Sequence, residues 1–125
     1  MPYEVALDIG NKIVMVHVSG QATIDEHIAA RKQAFQLCLK KMYNRMLVDL
    51  HDLDTQGVAS TIGCFEFGES LADVKMTQDL RIAHILPEQT RSRSDVEFTS
   101  TVAANRGRLV AEFQTLEDAR KWLLE

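Results

Sequence analysis

Two short apolar runs limit most strongly what this chain can fold into. Arg45-Met-Leu-Val-Asp-Leu50 has no polar residue between positions 46 and 48, and Leu80-Arg-Ile-Ala-His-Ile-Leu86 is a second such run, which Pro87 closes. Strands of this kind are typical of a parallel sheet that is covered on both faces. Parallel strands need crossover connections, and helical patterns lie between these runs. The sequence therefore predicts an α/β fold.

An N-terminal β-hairpin precedes the first run. Residues 3–9 alternate apolar and polar side chains, and residues 12–18 form a second strand pattern. Gly10 and Asn11 stand between them, and both tolerate the positive φ that a tight hairpin turn requires. With a last strand at 108–113, the predicted order is β-β-α-β-α-β-α-β-α. This describes a single domain over residues 1–125, with one mixed, mostly parallel sheet and about four helices.

Capping signals mark the helices. Thr23-Ile-Asp-Glu26 and Ser94-Asp-Val-Glu97 both fit a capping box, and Thr115 is placed to cap the last helix. The predicted helices begin at 23, 56, 94 and 115, and the first three end near 43, 72 and 105. The first helix is expected to bury one stripe and to keep Arg31 mostly outside it. That stripe consists of Ile24, Ile28, Phe35, Leu39 and Met42.

Composition narrows the function classes. The net charge of −4 disfavours a general nucleic-acid surface. The start of the chain lacks a basic region followed by an apolar one, and no apolar run approaches the roughly 18 residues of a membrane span. We therefore expect a cytoplasmic protein with no integral membrane segment. Cys38 and Cys64 form no metal-ligand pattern, so we expect reduced, buried thiols and no metal or cofactor.

Three features of the chain carry a family resemblance. They are the hairpin followed by a long capped helix, the run from Met46 into Asp54-Thr-Gln-Gly57, and the ending Phe113-Gln-Thr-Leu-Glu-Asp-Ala-Arg-Lys-Trp-Leu123. Over nearly its whole length, the chain resembles the STAS/SpoIIAA-like group, small domains related to bacterial anti-sigma-factor antagonists. The resemblance implies a SpoIIAA-like fold and a regulatory function through protein partners. Structural cousins in the lipid-transfer class bind apolar ligands.

The chain departs from that family at the switch position. The antagonists carry Asp-Ser-Ser-Gly, whose second serine is phosphorylated, whereas this chain has Asp54-Thr55-Gln56-Gly57. Gln56 has no hydroxyl, so the usual phosphoserine switch is not expected. Thr55 has one, and a phosphate at a helix start is electrostatically favourable. The favoured alternative is that Asp54 or Thr55 simply caps the next helix.

The predicted binding surface runs from Asp54 to Gly68. Small residues are interspersed there with Val58, Ile62, Phe65 and Phe67, a pattern that fits either a binding surface for a ligand or partner or plain core packing. Our first hypothesis is a non-enzymatic, homodimeric binding or regulatory module. The alternative is a carrier of a small apolar or anionic amphipathic, lipid-like ligand. In that case the two phenylalanines line a cavity and Arg91 and Arg93 hold the headgroup, unless these arginines are simply solvated.

Catalytic and metal-binding alternatives rest on isolated residues. His84 can titrate near neutral pH, but a core histidine is the commoner case. A Cys64–His84 nucleophile–base pair has no supporting spacing. The carboxyl end of an inner strand carries Asp49, His51 and Asp54, whose side chains are of types that bind cations. The favoured alternative is a polar loop that caps the next helix. No catalytic or metal-binding residue is therefore predicted.

Overall fold

A computed structural model describes residues 3–54, 80–88, 90–105 and 109–125. These residues form five strands and three helices. The elements are β1 (Tyr3–Asp8), β2 (Ile13–Val18), α1 (Ile24–Lys41), β3 (Arg45–Asp49), β4 (Arg81–Ile85), α2 (Thr90–Asn105), β5 (Leu109–Phe113) and α3 (Leu116–Leu123). The predicted α/β class is confirmed, and the helix predicted over 56–72 lies outside the described residues.

The strands form one mixed sheet in the order β1-β2-β3-β4-β5. β1 and β2 are antiparallel, and every other neighbouring pair is parallel. In the middle strand, Val48 pairs with Val16 on one side and with His84 on the other. Met46, Leu47 and Val48 are fully buried although successive residues point to opposite faces. Both faces of β3 are therefore covered, as its apolar run predicts.

The hairpin turn differs from its prediction. It occupies residues 9–12, and the positive φ belongs to Lys12, at 57°, rather than to Gly10 or Asn11. The Asp8 carboxylate closes the turn by accepting hydrogen bonds from the Asn11 backbone N–H at 3.3 Å and from Asn11 Nδ2 at 3.0 Å. These side-chain hydrogen bonds hold a turn that is longer than the predicted two residues, Gly10 and Asn11.

The capping box of α1 is confirmed at atomic level. Thr23 Oγ1 accepts from the Glu26 N–H at 3.1 Å, and Glu26 Oε1 accepts from the Thr23 N–H at 2.9 Å. At the other end, Met42 caps the helix in the left-handed region at φ 58°, and its N–H donates to the carbonyls of Cys38 and Leu39. Glycine is the usual residue in this conformation, because a Cβ there crowds the backbone.

Substituting Met42 with glycine is therefore expected to stabilise the protein. The methionine side chain is 90% exposed, so its removal loses little packing. We expect the free energy of unfolding to rise by about 1 kcal/mol, because glycine adopts the left-handed conformation without strain. Urea unfolding at constant m-value measures the change. Lys40→Gly, inside the same helix, is the control and should lower stability by about 1 kcal/mol.

The buried face of α1 is not the predicted stripe. Ile28 is 40% exposed and Leu39 is 55% exposed, whereas Arg31 is only 3% exposed. Among the side chains of this helix that the structure describes, the buried ones include Phe35, as the stripe predicts, and they are His27, Ala30, Arg31, Ala34, Phe35 and Cys38. This face combines small residues with two polar side chains. The stripe predicted from apolar periodicity is therefore displaced around the helix relative to the buried face. One of these polar side chains, Arg31, has a hydrogen-bond partner on β4, as described below.

Two apolar clusters lie on opposite faces of the sheet. The first packs α1 and Val96 of α2 against the side chains of Val16, Val48 and Ile82. The second packs α3 against Leu47 and the neighbouring strands. The members of the second cluster are Ile13, Leu47, Ala83, Ile85, Ala119 and Leu123. The chain is thus a three-layer arrangement in which the sheet lies between helices.

Helix α2 begins at Thr90, four residues before the predicted capping box. Ser94 is therefore inside the helix and does not cap it, which corrects the sequence prediction. The buried side of α2 combines hydroxyl and apolar side chains, since Ser92, Thr99 and Ser100 are buried with Val96 and Val102, whereas Phe98 is 39% exposed. Apolar periodicity underestimates the length of this helix, because its first turns bury the hydroxyl residue Ser92 rather than an apolar one.

Two arginines hold the end of α3 against the sheet. Arg45 and Arg81 are paired at the starts of β3 and β4. Arg45 Nε donates to the Leu123 carbonyl and Arg81 Nη1 to the Trp122 carbonyl, each at 2.8 Å. The Arg81 guanidinium also lies 5.3 Å from the centre of the Trp122 ring. Cations at this position complement the negative end of the helix dipole and bind carbonyls that have no partner within the helix.

Candidate functional site

The loop after β3, residues 50–54, lies at the carboxyl edge of the sheet and is held by backbone hydrogen bonds; we call it the platform. The Leu50 N–H donates to the Ile85 carbonyl at 3.0 Å, which joins the loop to β4. On its other side, the Gly20 N–H donates to the Asp52 carbonyl at 3.0 Å, and the Asp54 N–H donates to the Gly20 carbonyl at 2.8 Å. The loop is thus held on both flanks. Ligands of open α/β sheets bind at this edge.

Gly20 makes this pairing possible. Its φ is +65°, and among the described glycines it alone has a positive φ. A Cβ at this position would meet no atom within 4 Å, so the requirement for glycine is conformational rather than steric. Leu53, paired with Gly20 through an isolated bridge, is 3% exposed and anchors the loop in the core. The backbone that leads into Asp54 is therefore held in place by Gly20 and Leu53.

An acidic and histidine-rich cluster covers the platform. His51 Nδ1 lies 3.2 Å from Asp52 Oδ1, and His17 Nε2 lies 3.4 Å from Asp52 Oδ2. Hydrogen bonds from His51 and His17 lower the pKa of Asp52, so this carboxylate stays ionised at neutral pH. Asp49 Oδ1 accepts from the His51 N–H at 3.0 Å, and Glu88 lies 3.9 Å from the same imidazole. The platform consequently presents anionic oxygen atoms to solvent.

The cation alternative receives no geometric support. Within residues 3–54, 80–88, 90–105 and 109–125, no group of three or more His, Cys, Asp or Glu side chains is placed to hold a metal ion. In this region Asp49 instead binds a backbone N–H of its own loop. The favoured alternative, a polar loop that caps the next helix, stays a prediction, because the helix predicted over 56–72 lies outside the described residues.

Most of the predicted binding residues lie outside the described part of the chain. These are Thr55, Gln56, Gly57, Val58, Phe65 and Phe67. Asp54 lies on the platform and is partly buried. Arg91 is in the first turn of α2, and its side chain is not described. Arg93 is partly buried, and its Nε donates a long hydrogen bond of 3.4 Å to the Pro87 carbonyl. Arg93 therefore joins α2 to the end of β4.

A second polar cluster is buried inside the molecule, between α1, β4 and α2. His84 is 1% exposed and is held from both sides. Its Nε2 lies 2.8 Å from Arg31 Nη2, and its Nδ1 lies 2.9 Å from Ser100 Oγ. Arginine only donates hydrogen bonds, so Nε2 must accept. Nδ1 then carries the proton of the neutral imidazole and donates it to the serine hydroxyl oxygen.

Burial determines the charges in this cluster, which we call the Arg31–His84–Ser100 cluster. Burial, and then the positive charge of Arg31, holds the pKa of His84 well below its usual value. The same two causes lower the pKa of His27 to about 4, and burial lowers that of Arg31 to about 9. At neutral pH the cluster therefore contains the neutral imidazole of His84 beside the guanidinium cation of Arg31, and the imidazole of nearby His27 is also neutral.

This geometry argues against a serine nucleophile. A general base must have a free lone pair directed at the hydroxyl proton, but the lone pair of His84 is directed at Arg31. The serine is also 2% exposed. The favoured interpretation of His84 as a core histidine is confirmed, but sequence patterns did not point to Arg31 and Ser100 as its partners. The available signal was the spacing of His27 and Arg31, four residues apart beside the buried alanines of α1.

The cysteine prediction is tested at one position. Cys38 is a free thiol that is 1% exposed, and burial raises its pKa to about 11. It is therefore a neutral, inaccessible thiol at physiological pH, as expected for a core cysteine. Cys64 lies outside the described residues, so its expected state as a buried, reduced thiol stays a prediction, and the disfavoured pairing of Cys64 with His84 is not tested.

No described helix is long and apolar enough to cross a membrane. In comparisons with known proteins, no family model, no curated protein and no solved structure matches this chain. The resemblance to SpoIIAA-like domains therefore stays a prediction, and a functional proposal must depend on the residues of the chain itself.

Proposed function

We propose that this chain is a non-enzymatic binding module that engages a protein partner at the carboxyl edge of its sheet. The observation that carries the proposal is the platform at 50–54, which backbone hydrogen bonds to Gly20, just after β2, and to Ile85 of β4 hold in place. A binding loop whose backbone is ordered before binding loses less entropy when the complex forms. Asp54 lies at the end of this platform, where the segment with the predicted binding residues begins.

The charge of this edge favours a partner with basic side chains. Asp49, Asp52 and Glu88 lie around the two half-exposed imidazoles of His17 and His51. An anionic headgroup would meet repulsion from these carboxylates, whereas lysine and arginine side chains would pair with them. Of the two functions considered, a protein-binding module therefore fits the described charges better than a carrier of anionic lipid.

Site-specific photo-crosslinking tests this proposal. A photoreactive phenylalanine analogue is placed at Glu88, which is exposed beside the platform, and a control analogue is placed at Lys121, exposed in the last turn of α3. Irradiation of cells of the native host is expected to give a discrete protein adduct at position 88 and none at position 121. Asp52→Asn should weaken that adduct, because it removes a carboxylate from the proposed contact.

Two outcomes contradict the proposal. One is an identical adduct pattern at positions 88 and 121, since a specific edge must differ from the opposite end of the molecule. The other is a small-molecule mass in native mass spectrometry of the purified protein that disappears on denaturation. That result would replace the partner module with the ligand carrier.

A further inference from the structure

The outer edge of β1 is open in the described structure. β1 is the first strand of the sheet order and pairs with β2 alone among the described strands. Its register with β2 runs without interruption from Tyr3–Val18 to Asp8–Ile13, so it contains no bulge. It also contains no proline and no lysine. These are the features that commonly prevent an edge strand from pairing with another chain, and residues 3–8 lack them.

The side chains of β1 divide by face. Tyr3, Val5 and Leu7 are half-buried and pack against the α1 side of the core. Glu4 and Ala6 are exposed on the opposite face. Asp8 is already engaged, because it accepts hydrogen bonds from Asn11 and lies 3.3 Å from the Arg120 guanidinium. The edge therefore combines an incompletely covered apolar stripe with one acidic side chain, Glu4, that has no ion-pair partner among the described residues.

We propose that β1 pairs antiparallel with β1 of a second copy of this chain, with Val5 opposite Val5. In a continuous antiparallel sheet, residues that lie directly opposite each other point to the same face. A two-fold axis between two copies of one strand must therefore place one residue opposite its own copy. The axis at Val5 places Tyr3 opposite Leu7 and Glu4 opposite Ala6. The half-buried apolar stripes of the two copies then join into one continuous surface.

Repulsion between like charges disfavours a neighbouring register of β1 and disfavours self-pairing of the other outer strand. An axis at Ala6 would place Glu4 directly opposite Asp8, a like-charge pair that destabilises a sheet. The other outer strand, β5, is less suitable. Burial and the charge of Glu97 raise the pKa of Glu112 on β5. Antiparallel self-pairing around Ala111 would bring two Glu112 carboxylates onto one face near the two Glu97 side chains.

The Glu4–Ala6 pair provides a charge test, because it occurs twice in the dimer and Ala6 is exposed. Ala6→Glu places two pairs of like charges across the axis, and Ala6→Lys places two pairs of opposite charges there. We expect the dimer dissociation constant to rise about fivefold in the first variant and to fall about fivefold in the second at low salt. Sedimentation equilibrium measures both dissociation constants, and the difference between them should become smaller at high salt.

A charge exchange completes the design. Glu4→Lys combined with Ala6→Glu restores opposite charges across the axis and should recover dimerisation. Gln36→Glu and Gln36→Lys, on the exposed side of α1, repeat the net charge changes away from the edge and should leave the constant unchanged. A wild-type protein that stays monomeric at every concentration overturns the proposal. So do Ala6→Glu and Ala6→Lys variants that dimerise equally.

Discussion

Acidification from pH 7 to pH 4 is expected to lower the free energy of unfolding by about 3 kcal/mol or more. His27 has a pKa of about 4 in the folded protein, against 6.5 for the free side chain. Between these two values the unfolded chain binds the proton and the folded chain does not, so stability falls as the pH falls. A shift of this size corresponds to about 3 kcal/mol, and His84, whose pKa is also lowered, adds to it.

Urea unfolding at half-unit pH intervals measures this dependence. His27→Gln should flatten the curve between pH 6.5 and pH 4, because one of the two buried imidazoles is then absent. His51→Gln is the matched control, since it removes a half-exposed histidine from the platform and leaves the buried cluster intact. A wild-type stability that is constant from pH 7 to pH 4 would contradict the charge assignment for the Arg31–His84–Ser100 cluster.

Replacing His84 with leucine is expected to destabilise the protein by about 3 kcal/mol. The imidazole accepts a hydrogen bond from the buried Arg31 guanidinium and donates one to Ser100. Hydrogen bonds to charged groups contribute about 1.5–3 kcal/mol, and a buried polar atom that loses its partner adds a desolvation cost of about 1–3 kcal/mol. Leucine fills the space of the imidazole without forming hydrogen bonds, so the loss of stability measures the hydrogen bonds rather than a cavity.

A double-mutant cycle separates the two contacts of His84. Ser100→Ala alone should cost about 1–2 kcal/mol, because it removes the acceptor of the Nδ1 proton. Combined with His84→Leu, it should cost little more than His84→Leu alone, since the hydroxyl has by then lost its partner. Fully additive losses would show that His84 and Ser100 do not interact. Chemical denaturation of the four proteins provides the values.

Short-range signals predicted the helix ends with unequal success. The capping boxes at Thr23 and Ser94 are similar in sequence, but only the first begins a helix. A capping box is favourable wherever a helix starts, yet it does not force a start if the preceding residues can also be helical. Here the helix extends back to Thr90, and Ser92 is buried with the rest of its inner face.

The candidate site was predicted only in its position. Parallel strands place their carboxyl ends at one edge, so Asp49 and Asp54 were expected to lie there, and they do. The hydrogen bonds between Gly20 and the loop were not foreseeable, because they connect residues more than 30 positions apart in the chain. The same is true of His17, which approaches Asp52 only through the pairing of β2 with β3.

The sequence by itself determined the order of the described strands and helices, because apolar patterns and caps are local signals. Two adjacent hydrophobic strands that must be covered on both faces leave few arrangements other than a mixed α/β sheet. Only the tertiary structure decided the environment of the polar residues. Arg31 follows a helical pattern typical of solvent-exposed residues, yet it is buried, because His84 on β4 meets it across 53 positions of the chain. A hydrogen bond between distant residues leaves no periodic trace in the sequence.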